Sequence, residues 1–497
     1  MTEYLLPDGM TIEAAAEALR GRLAVRGRPA RQVDRTYYDT FDGLLRGAGL
    51  IVVHDDGQLA LVERASGTVR AKLNRARPTE PLFVRDLQPG RLADAVQRIV
   101  EPRALLPITE IHARERPLDV VDDEQKTVVR LRLERPRARE ARLRISGVRG
   151  YDDELRRVEQ VVEKELGFRI ATQPLLDEVA PPGPSSKIEV PLRAEQRADT
   201  AAAIVLRRLL GVIEANFEGT IGDIDSEFLH DLRVSVRRSR SVQRELKKVF
   251  PPAELERFRG EFRWLQQVTG DSRDLDVYVL EFAAMRALVP EPMRGDLDPL
   301  LDILRGRRLA ARREMASALR SERARALLSA WPSFLEQLEI MSPQDRPDAA
   351  RPIAAVAGER IRKVYKRMVK MGRAIDESSP AEDYHELRKK GKELRYLLEL
   401  FAAPLYPAEV VKPMIKALKG LQDVLGHHQD RVVQIAMLGS LRDELSDVQG
   451  GAAALMAMGM LVQRLGEDEL AARARFAERF ANFASKSQRK QVEATFE

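Results

Sequence analysis

Two segments of the chain, 155 residues apart, carry one pattern twice. The first reads His230-Asp231-Leu232-Arg233-Val234-Ser235-Val236-Arg237-Arg238-Ser239-Arg240. The second reads His385-Glu386-Leu387-Arg388-Lys389-Lys390-Gly391-Lys392-Glu393-Leu394-Arg395 (385 − 230 = 155). His, an acid, Leu and Arg agree at the start, a base agrees at Arg237 and Lys392, and Arg closes both. Downstream, Phe262-Arg263-Trp264-Leu265-Gln266 resembles Leu418-Lys419-Gly420-Leu421-Gln422, Gly270 matches Gly426 and Asp274 matches Asp430. The offset there is 156, and one loop residue accounts for the change. A duplication calls for two similar units related by a pseudo-two-fold axis.

The units are helical. From Val190 onward apolar residues recur at helical spacing, and Pro or Gly marks expected breaks at Pro251-Pro252, Gly270, Pro290, Pro332, Pro343, Pro380, Pro407 and Gly426. Segments of about 15–25 residues joined by short loops describe stacked bundles.

A helix turns about 100° per residue, so His230, Arg233, Arg237, Arg240 and Arg244 share about 80° of arc, opposite Leu232, Val242 and Leu246. His385, Arg388, Lys392 and Arg395 do the same opposite Leu387, Leu394 and Leu398, while Lys390 points toward the apolar side. Two further stripes have this spacing: Arg360, Lys363, Arg367 and Lys370, and Arg305, Arg308 and Arg312. Like charges at i, i+4 cost a few tenths of a kcal/mol per pair, and no acid interrupts the arc from His230 to Arg244. A single basic helix is ordinarily a solvated face. A stripe repeated at a constant offset, opened each time by one of six histidines, points instead to facing ridges around a polyanion. Arg gives planar, bidentate contacts to phosphate oxygens.

The N-terminal part reads differently. Thr11 to Val25 has a helical pattern. Leu50–Val53, Leu59–Val62 and Thr127–Leu133 are β-prone, the last alternating apolar and basic residues, and Asp152 to Leu166 reads as a closing helix stopped by Gly167. The expected fold class is α+β, with an antiparallel sheet or β-barrel. Ala180-Pro181-Pro182-Gly183-Pro184-Ser185-Ser186 suits a linker. The 497 residues hold no cysteine, which excludes disulfides and thiolate chemistry. The opening MTEYLLPDGM lacks the basic and apolar regions of a secretory signal, and no apolar run of membrane-spanning length occurs. A cytoplasmic location is expected. The net charge of +6 (83 bases against 77 acids) is too small to argue for polyanion binding alone.

At the duplicated segments the chain resembles the CHAD domain, the conserved histidine α-helical domain, over roughly Val190 to Asn482. The resemblance implies two four-helix bundles around a basic channel, binding of inorganic polyphosphate, association with polyphosphate granules and no catalysis. It implies ligand contacts from His230, Arg233, Arg237, Arg240 and Arg263 and from His385, Arg388, Lys392, Arg395 and Lys419; Arg273 has Gln429 at its repeat position. The N-terminal part resembles a CYTH domain, a triphosphate tunnel, through Tyr37-Tyr38-Asp39-Thr40 and Leu44-Leu45-Arg46-Gly47-Ala48-Gly49-Leu50. Active members carry Glu-x-Glu-x-Lys at the start, where this chain has Met1-Thr2-Glu3-Tyr4-Leu5-Leu6. They continue the Gly-Leu strand with Leu-Arg-x-Arg, where this chain has Ile51-Val52-Val53-His54. The resemblance therefore implies a degenerate tunnel, although Lys72, Arg130, Arg132, Arg142 and Arg144 remain as anion ligands and Glu63, Glu110 and Glu134 as acids. The expected organisation is a CYTH-like domain over 1–180, a linker over 181–189 and a CHAD domain over 190–497, with halves near 190–340 and 351–490.

No cofactor or metal is expected: His427-His428 are neighbours whose side chains diverge on a helix, and no Walker loop, Gly-x-Ser-x-Gly or His-Glu-x-x-His occurs. Met456, Met458 and Met460 read as core. A metal-dependent inorganic triphosphatase and a nucleic-acid-binding protein are the competing functions. Aromatic residues are 5% of the chain and absent from the first ridge, which disfavours base stacking.

Overall fold

The computed structural model describes residues 2–75, 77–180, 183–184, 188–376 and 378–496. The chain divides into two compact units, Met1–Ser186 and Lys187–Glu497. Of the expected linker, residues 181, 182 and 185–187 lie outside the described residues.

The first unit is built on ten strands: β1 (Thr2–Leu5), β2 (Val25–Gly27), β3 (Arg31–Asp39), β4 (Leu50–Asp55), β5 (Gln58–Glu63), β6 (Val69–Asn74), β7 (Leu106–Val121), β8 (Thr127–Pro136), β9 (Arg142–Gly147) and β10 (Arg169–Ile170). All pairings are antiparallel, in the order β10-β1-β9-β8-β7-β3-β4-β5-β6 with β2 beside β7. The expected barrel is not formed. No pairing joins β6 to β10 among the described residues, because β10 is two residues long and both edge strands are largely exposed. Helices α1 (Ile12–Arg20), α2 (Leu44–Gly47), α3 (Arg91–Val100), α4 (Asp152–Gln160) and α5 (Leu175–Val179) complete the unit. Leu131, Leu133, Leu143, Ile145 and Tyr4 alternate toward a core with residues of α1 and α4, leaving Glu3, Arg142 and Arg144 on the other face.

The second unit holds α6 (Ala198–Ile221), α7 (Ser226–Glu245), α8 (Pro252–Val268), α9 (Gly270–Ala287), α10 (Asp298–Leu319), α11 (Glu322–Ile340), α12 (Ile353–Arg373), α13 (Ala381–Leu397), α14 (Ala403–Leu405), α15 (Ala408–Ser440), α16 (Arg442–Ser446), α17 (Gly451–Phe483) and α18 (Lys486–Thr495). Repeat-equivalent helices meet: α6 packs on α12 and α7 on α13, as a pseudo-two-fold axis requires. One core spans both halves, from Trp331 against Phe258 (ring centroids 4.7 Å apart) to Tyr384 and Phe476 (5.3 Å). A second core joins the far ends of α9, α10, α15 and α17. Gly219 lets α7 approach α6, since a Cβ there would sit 2.1 Å from the Phe228 ring.

Three expectations fail for local reasons. Pro332 lies inside α11, where Trp331, Phe334 and Leu335 are buried and tertiary packing outweighs the lost backbone bond. Gly426 lies inside α15, whereas its match Gly270 follows a break at Thr269. Thr269 Oγ1 donates back to the Leu265 carbonyl at 2.8 Å, competing with the helical ladder; its repeat partner Leu425 cannot. Met456 is 71% exposed, because α17 turns it away from the buried Met458 and Leu461.

Candidate functional site

Asp225 fixes the start of α7 by accepting from the backbone of Glu227 (2.9 Å) and Phe228 (3.3 Å). Leu229, Leu232 and Val236 then point into the core, and the basic arc emerges on the other side. The repeat-equivalent α13 buries Leu387 and Leu394 and leaves His385, Arg388, Lys392 and Arg395 partly exposed. Two ion pairs cross the contact between these helices: Arg238 to Glu399 and Arg244 to Glu393, each at 3.0 Å. Positions 238 and 393 are repeat equivalents, as are 244 and 399, so each pair is the image of the other with its signs exchanged.

Beside this axis, cations of both halves come together. Lys392 lies among Arg388, Arg237 and Arg233; burial and these three cations push its ammonium down to about 7, against the opposing pull of Asp430. Burial, with Arg237 and Arg273, pushes Arg233 down to about 10 against the pull of Asp274. Burial and Arg237 also lower Arg388, and burial with Arg263, Arg244 and Arg259 lowers Arg240. Depressed basicity in a group of cations marks a site whose charges are stabilised too little by the protein itself.

The hydrogen bonds around the cluster repeat as well. Arg233 Nη1 donates to the Gln266 carbonyl and to Thr269 Oγ1, both at 2.9 Å, using the carbonyl freed at the helix break. Arg240 donates to Gln266 Oε1, and its equivalent Arg395 to Gln422 Oε1 at 3.4 Å. Arg273 Nη2 donates to His230 Nδ1 at 3.0 Å; a guanidinium accepts nothing, so His230 carries its hydrogen on Nε2. His385 Nδ1 meets Gln429 Oε1 at 2.7 Å. Arg273 and Gln429 are thus equivalent positions that hold equivalent histidines. Gly270 and Gly426 adjoin Arg233 and Arg388, each 3.8 Å from where a Cβ would stand, an ordinary contact distance. Arg237 makes no hydrogen bond or ion pair among the described residues, and its Nε is buried without a partner.

The remaining expected ligands divide. Arg263 and Lys419 are exposed and carry no ion pair among the described residues. Lys363, Arg367 and Lys370 lie on the exposed face of α12, also unpaired. Several others meet carboxylates, some on their own helix and some on a neighbouring element that a single helical wheel does not reveal. Arg308 and the buried Arg312 share Asp223 and Asp276 at 2.7–2.9 Å. Arg305 lies 3.4 Å from Asp302. Arg360 pairs with Glu245 at 2.5 Å, Arg395 with Glu399 at 2.6 Å, and Arg244 with Glu245 as well as Glu393. Arg273 is 3.7 Å from Glu227, and Arg388 3.6 Å from Asp430. The ridge expected to hold no acid is thus met by carboxylates at many positions, while Arg233, Arg237, Arg240, Arg388 and Lys392 are cations whose basicity is lowered or whose Nε is left without a partner. Lys390 pairs with Glu393.

The adjacent histidines go separate ways. His428 is buried, 2.6 Å from Glu469 and stacked on Tyr384, whereas His427 is 3.9 Å from Asp468. Glu382, His385 and Glu386 bring ligand atoms within 4.8 Å of one another on α13, with Glu386 already paired to Lys389.

In the first unit the interior charges compensate one another. Arg35, which no sequence pattern singles out, joins Glu115, Glu134 (2.9 Å) and Asp55 (3.0 Å). Arg144 bridges Glu134 and Glu3 (3.4 Å), and Arg142 bridges Glu3 (3.4 Å) and Glu178. Burial alone would raise the Glu115 carboxyl; Arg35 and Arg132 overcome it and hold the group below the usual range. Glu63 and Glu110 lie apart, paired with Arg70 and Arg77, and Lys72 and Arg130 are exposed.

Among the described residues no helix is long and apolar enough to cross a membrane. Residues 204–439 match the family described as the CHAD domain. The uncharacterized proteins MT2285 and Rv2226 of Mycobacterium tuberculosis (strains CDC 1551 / Oshkosh and ATCC 25618 / H37Rv) are each 30% identical over 207 residues, which is 41% of this chain and 38% of the length of those relatives. Among solved structures, the CHAD domain from the plant Ricinus communis aligns over 62% of this chain and 96% of its own (25% identity, TM-score 0.48). PptA from Streptomyces chartreusis aligns over 57% and 99% (18% identity, TM-score 0.43). The chain carries a CHAD domain over residues 204–439, within its all-helical unit.

Proposed function

We propose that the helical unit binds a long phosphate polyanion, inorganic polyphosphate, and through it associates with polyphosphate granules. The observation that supports this most is the meeting of the repeat equivalents Arg237 and Lys392 with Arg233 and Arg388, with too few carboxylates to balance them. A polyanion supplies that balance, and Arg supplies planar donors for phosphate oxygens. Affinity then rises with chain length and falls steeply with salt. Titration with polyphosphate of defined length tests the reading, with RNA and DNA at equal phosphate concentration as competitors. Preference for nucleic acid would replace it.

The first unit is read as a degenerate CYTH-like sheet domain without turnover. Phosphoryl transfer to water needs carboxylates free to hold a divalent metal and bases free to hold phosphates. Glu3, Glu115 and Glu134 are instead engaged by Arg35, Arg142 and Arg144. Phosphate release from tripolyphosphate with Mg²⁺ or Mn²⁺, lost on replacing Glu134, would overturn this.

A further inference from the structure

Away from the axis, α15 and α17 enclose a groove of about 860 Å³ lined by Lys412, Lys416, Lys419, Arg475 and Arg479, with His427 and one acid, Asp423. The three lysines follow i, i+4, i+7 on α15, and the two arginines follow i, i+4 on α17, so each helix turns a like-charged stripe to the other. None of the five cations is ion-paired among the described residues; Arg475 donates only to the Ala471 carbonyl at 3.3 Å. Elsewhere the surface cations of these helices are neutralised: Arg464 by Glu467 at 2.8 Å, and Arg431 by Asp468 at 3.3 Å, with His427 3.9 Å from the same carboxylate. Burial, Arg431 and Arg475 hold the His427 imidazole below its ordinary value, so it adds little positive charge to the empty groove.

The groove is not a product of the duplication. At the offset of 156, Lys412, Lys416 and His427 fall on Glu256, Gly260 and Asp271, and only Lys419 meets a base, Arg263. It does adjoin the ridge of α13. Lys419 lines the groove and stands one turn before Gln422, which accepts from Arg395. Lys412 to His427 covers about 22 Å of helix.

We propose that this groove is a second phosphate track, which takes the length of a polyphosphate chain that leaves the axial cluster past Lys419. The proposal rests on the axial reading above. It gives the bound chain a direction, out along the second half past Lys419. It also assigns Lys412, Lys416, Arg475 and Arg479 as contacts for long chains alone.

The experiment compares short polyphosphate, of a length the axial cluster alone accommodates, with chains several times longer, on the full-length protein. In Lys412→Glu/Lys416→Glu and Arg475→Glu/Arg479→Glu, all at exposed positions, short-chain affinity stays within about twofold. Long-chain affinity falls at least about tenfold, with a shallower salt dependence. Circular dichroism matching the unmodified protein establishes that the fold is kept. Equal long-chain affinity in the reversed and unmodified proteins overturns the track and leaves the axial reading standing. Loss of short and long chains alike in Arg237→Gln, with the groove intact, is the separate signature of the axial site.

Discussion

Lys392 makes binding pH-dependent. Its ammonium is held at about 7 in the free protein, against an ordinary 10.5, by burial and by Arg388, Arg237 and Arg233. A polyanion laid against these groups favours the charged form, so the complex keeps a proton that the free protein loses above pH 7. Binding then takes up a proton, and affinity falls as pH rises, approaching tenfold per pH unit, or about 1.4 kcal/mol. If the complex restores Lys392 to its ordinary range, affinity drops roughly 30- to 50-fold between about pH 7 and 9 and is level below about pH 6. The assay is titration calorimetry in two buffers of different ionisation enthalpy, which counts the protons taken up. In Lys392→Arg the guanidinium stays charged and the pH dependence disappears. The free protein moves the other way: the unfolded chain holds the proton up to 10.5, so stability rises with pH from about 7 to 10.5 and is constant below. Affinity that is level from pH 7 to 9, or that declines equally in Lys392→Arg, refutes the reasoning.

Other consequences follow from the same geometry. Arg237→Ala or Lys392→Met relieves repulsion in the empty cluster, so thermal denaturation shows a higher Tm for the free protein, by roughly the 2–4 °C that about 1 kcal/mol gives in a larger domain, while polyphosphate affinity falls. Asp430→Asn removes the carboxylate 3.6 Å from Arg388 and raises affinity, by calorimetry, several-fold. Gly426→Ala adds a methyl at an ordinary contact distance inside α15 and stabilises by about 0.5–1 kcal/mol in chemical denaturation. Gly219→Ala, clashing with Phe228, destabilises by about 1–3 kcal/mol. In the first unit Arg35→Met leaves Glu115 and Glu134 buried without their main partner and costs about 3–5 kcal/mol, read as a lower denaturation midpoint.

The helical architecture was legible because its signal is repetitive: the same His, Leu and Arg at one offset, with apolar positions at helical spacing. The matched Gly270 and Gly426 and the matched Gln266 and Gln422 also proved to adjoin equivalent arginines. What escaped was whatever depends on a second element. Arg308, Arg312 and Arg360 share the spacing of the axial ridge, and only the arrival of Asp223, Asp276 and Glu245 distinguishes them. The exchange of signs between Arg238–Glu399 and Arg244–Glu393 was written in the alignment of the repeats, but its meaning required the axis. Pro332 and Gly426 break a helix by local preference alone, and packing visible only in three dimensions overrides it. Arg35 was invisible because nothing in β3 marks an interior charge until Glu115 and Glu134 from β7 and β8 stand beside it.

The central claim is that cations from both repeats hold a single phosphate chain. Calorimetric titration of polyphosphate into the unmodified protein, Arg237→Gln, Lys392→Gln and the double variant tests it directly, at several salt concentrations. The account predicts one site per protein, weaker binding in each single variant, a salt slope reduced by roughly one in magnitude for each charge removed, and weaker binding still in the double variant. Affinity unchanged in either single variant, with the fold intact, would contradict it.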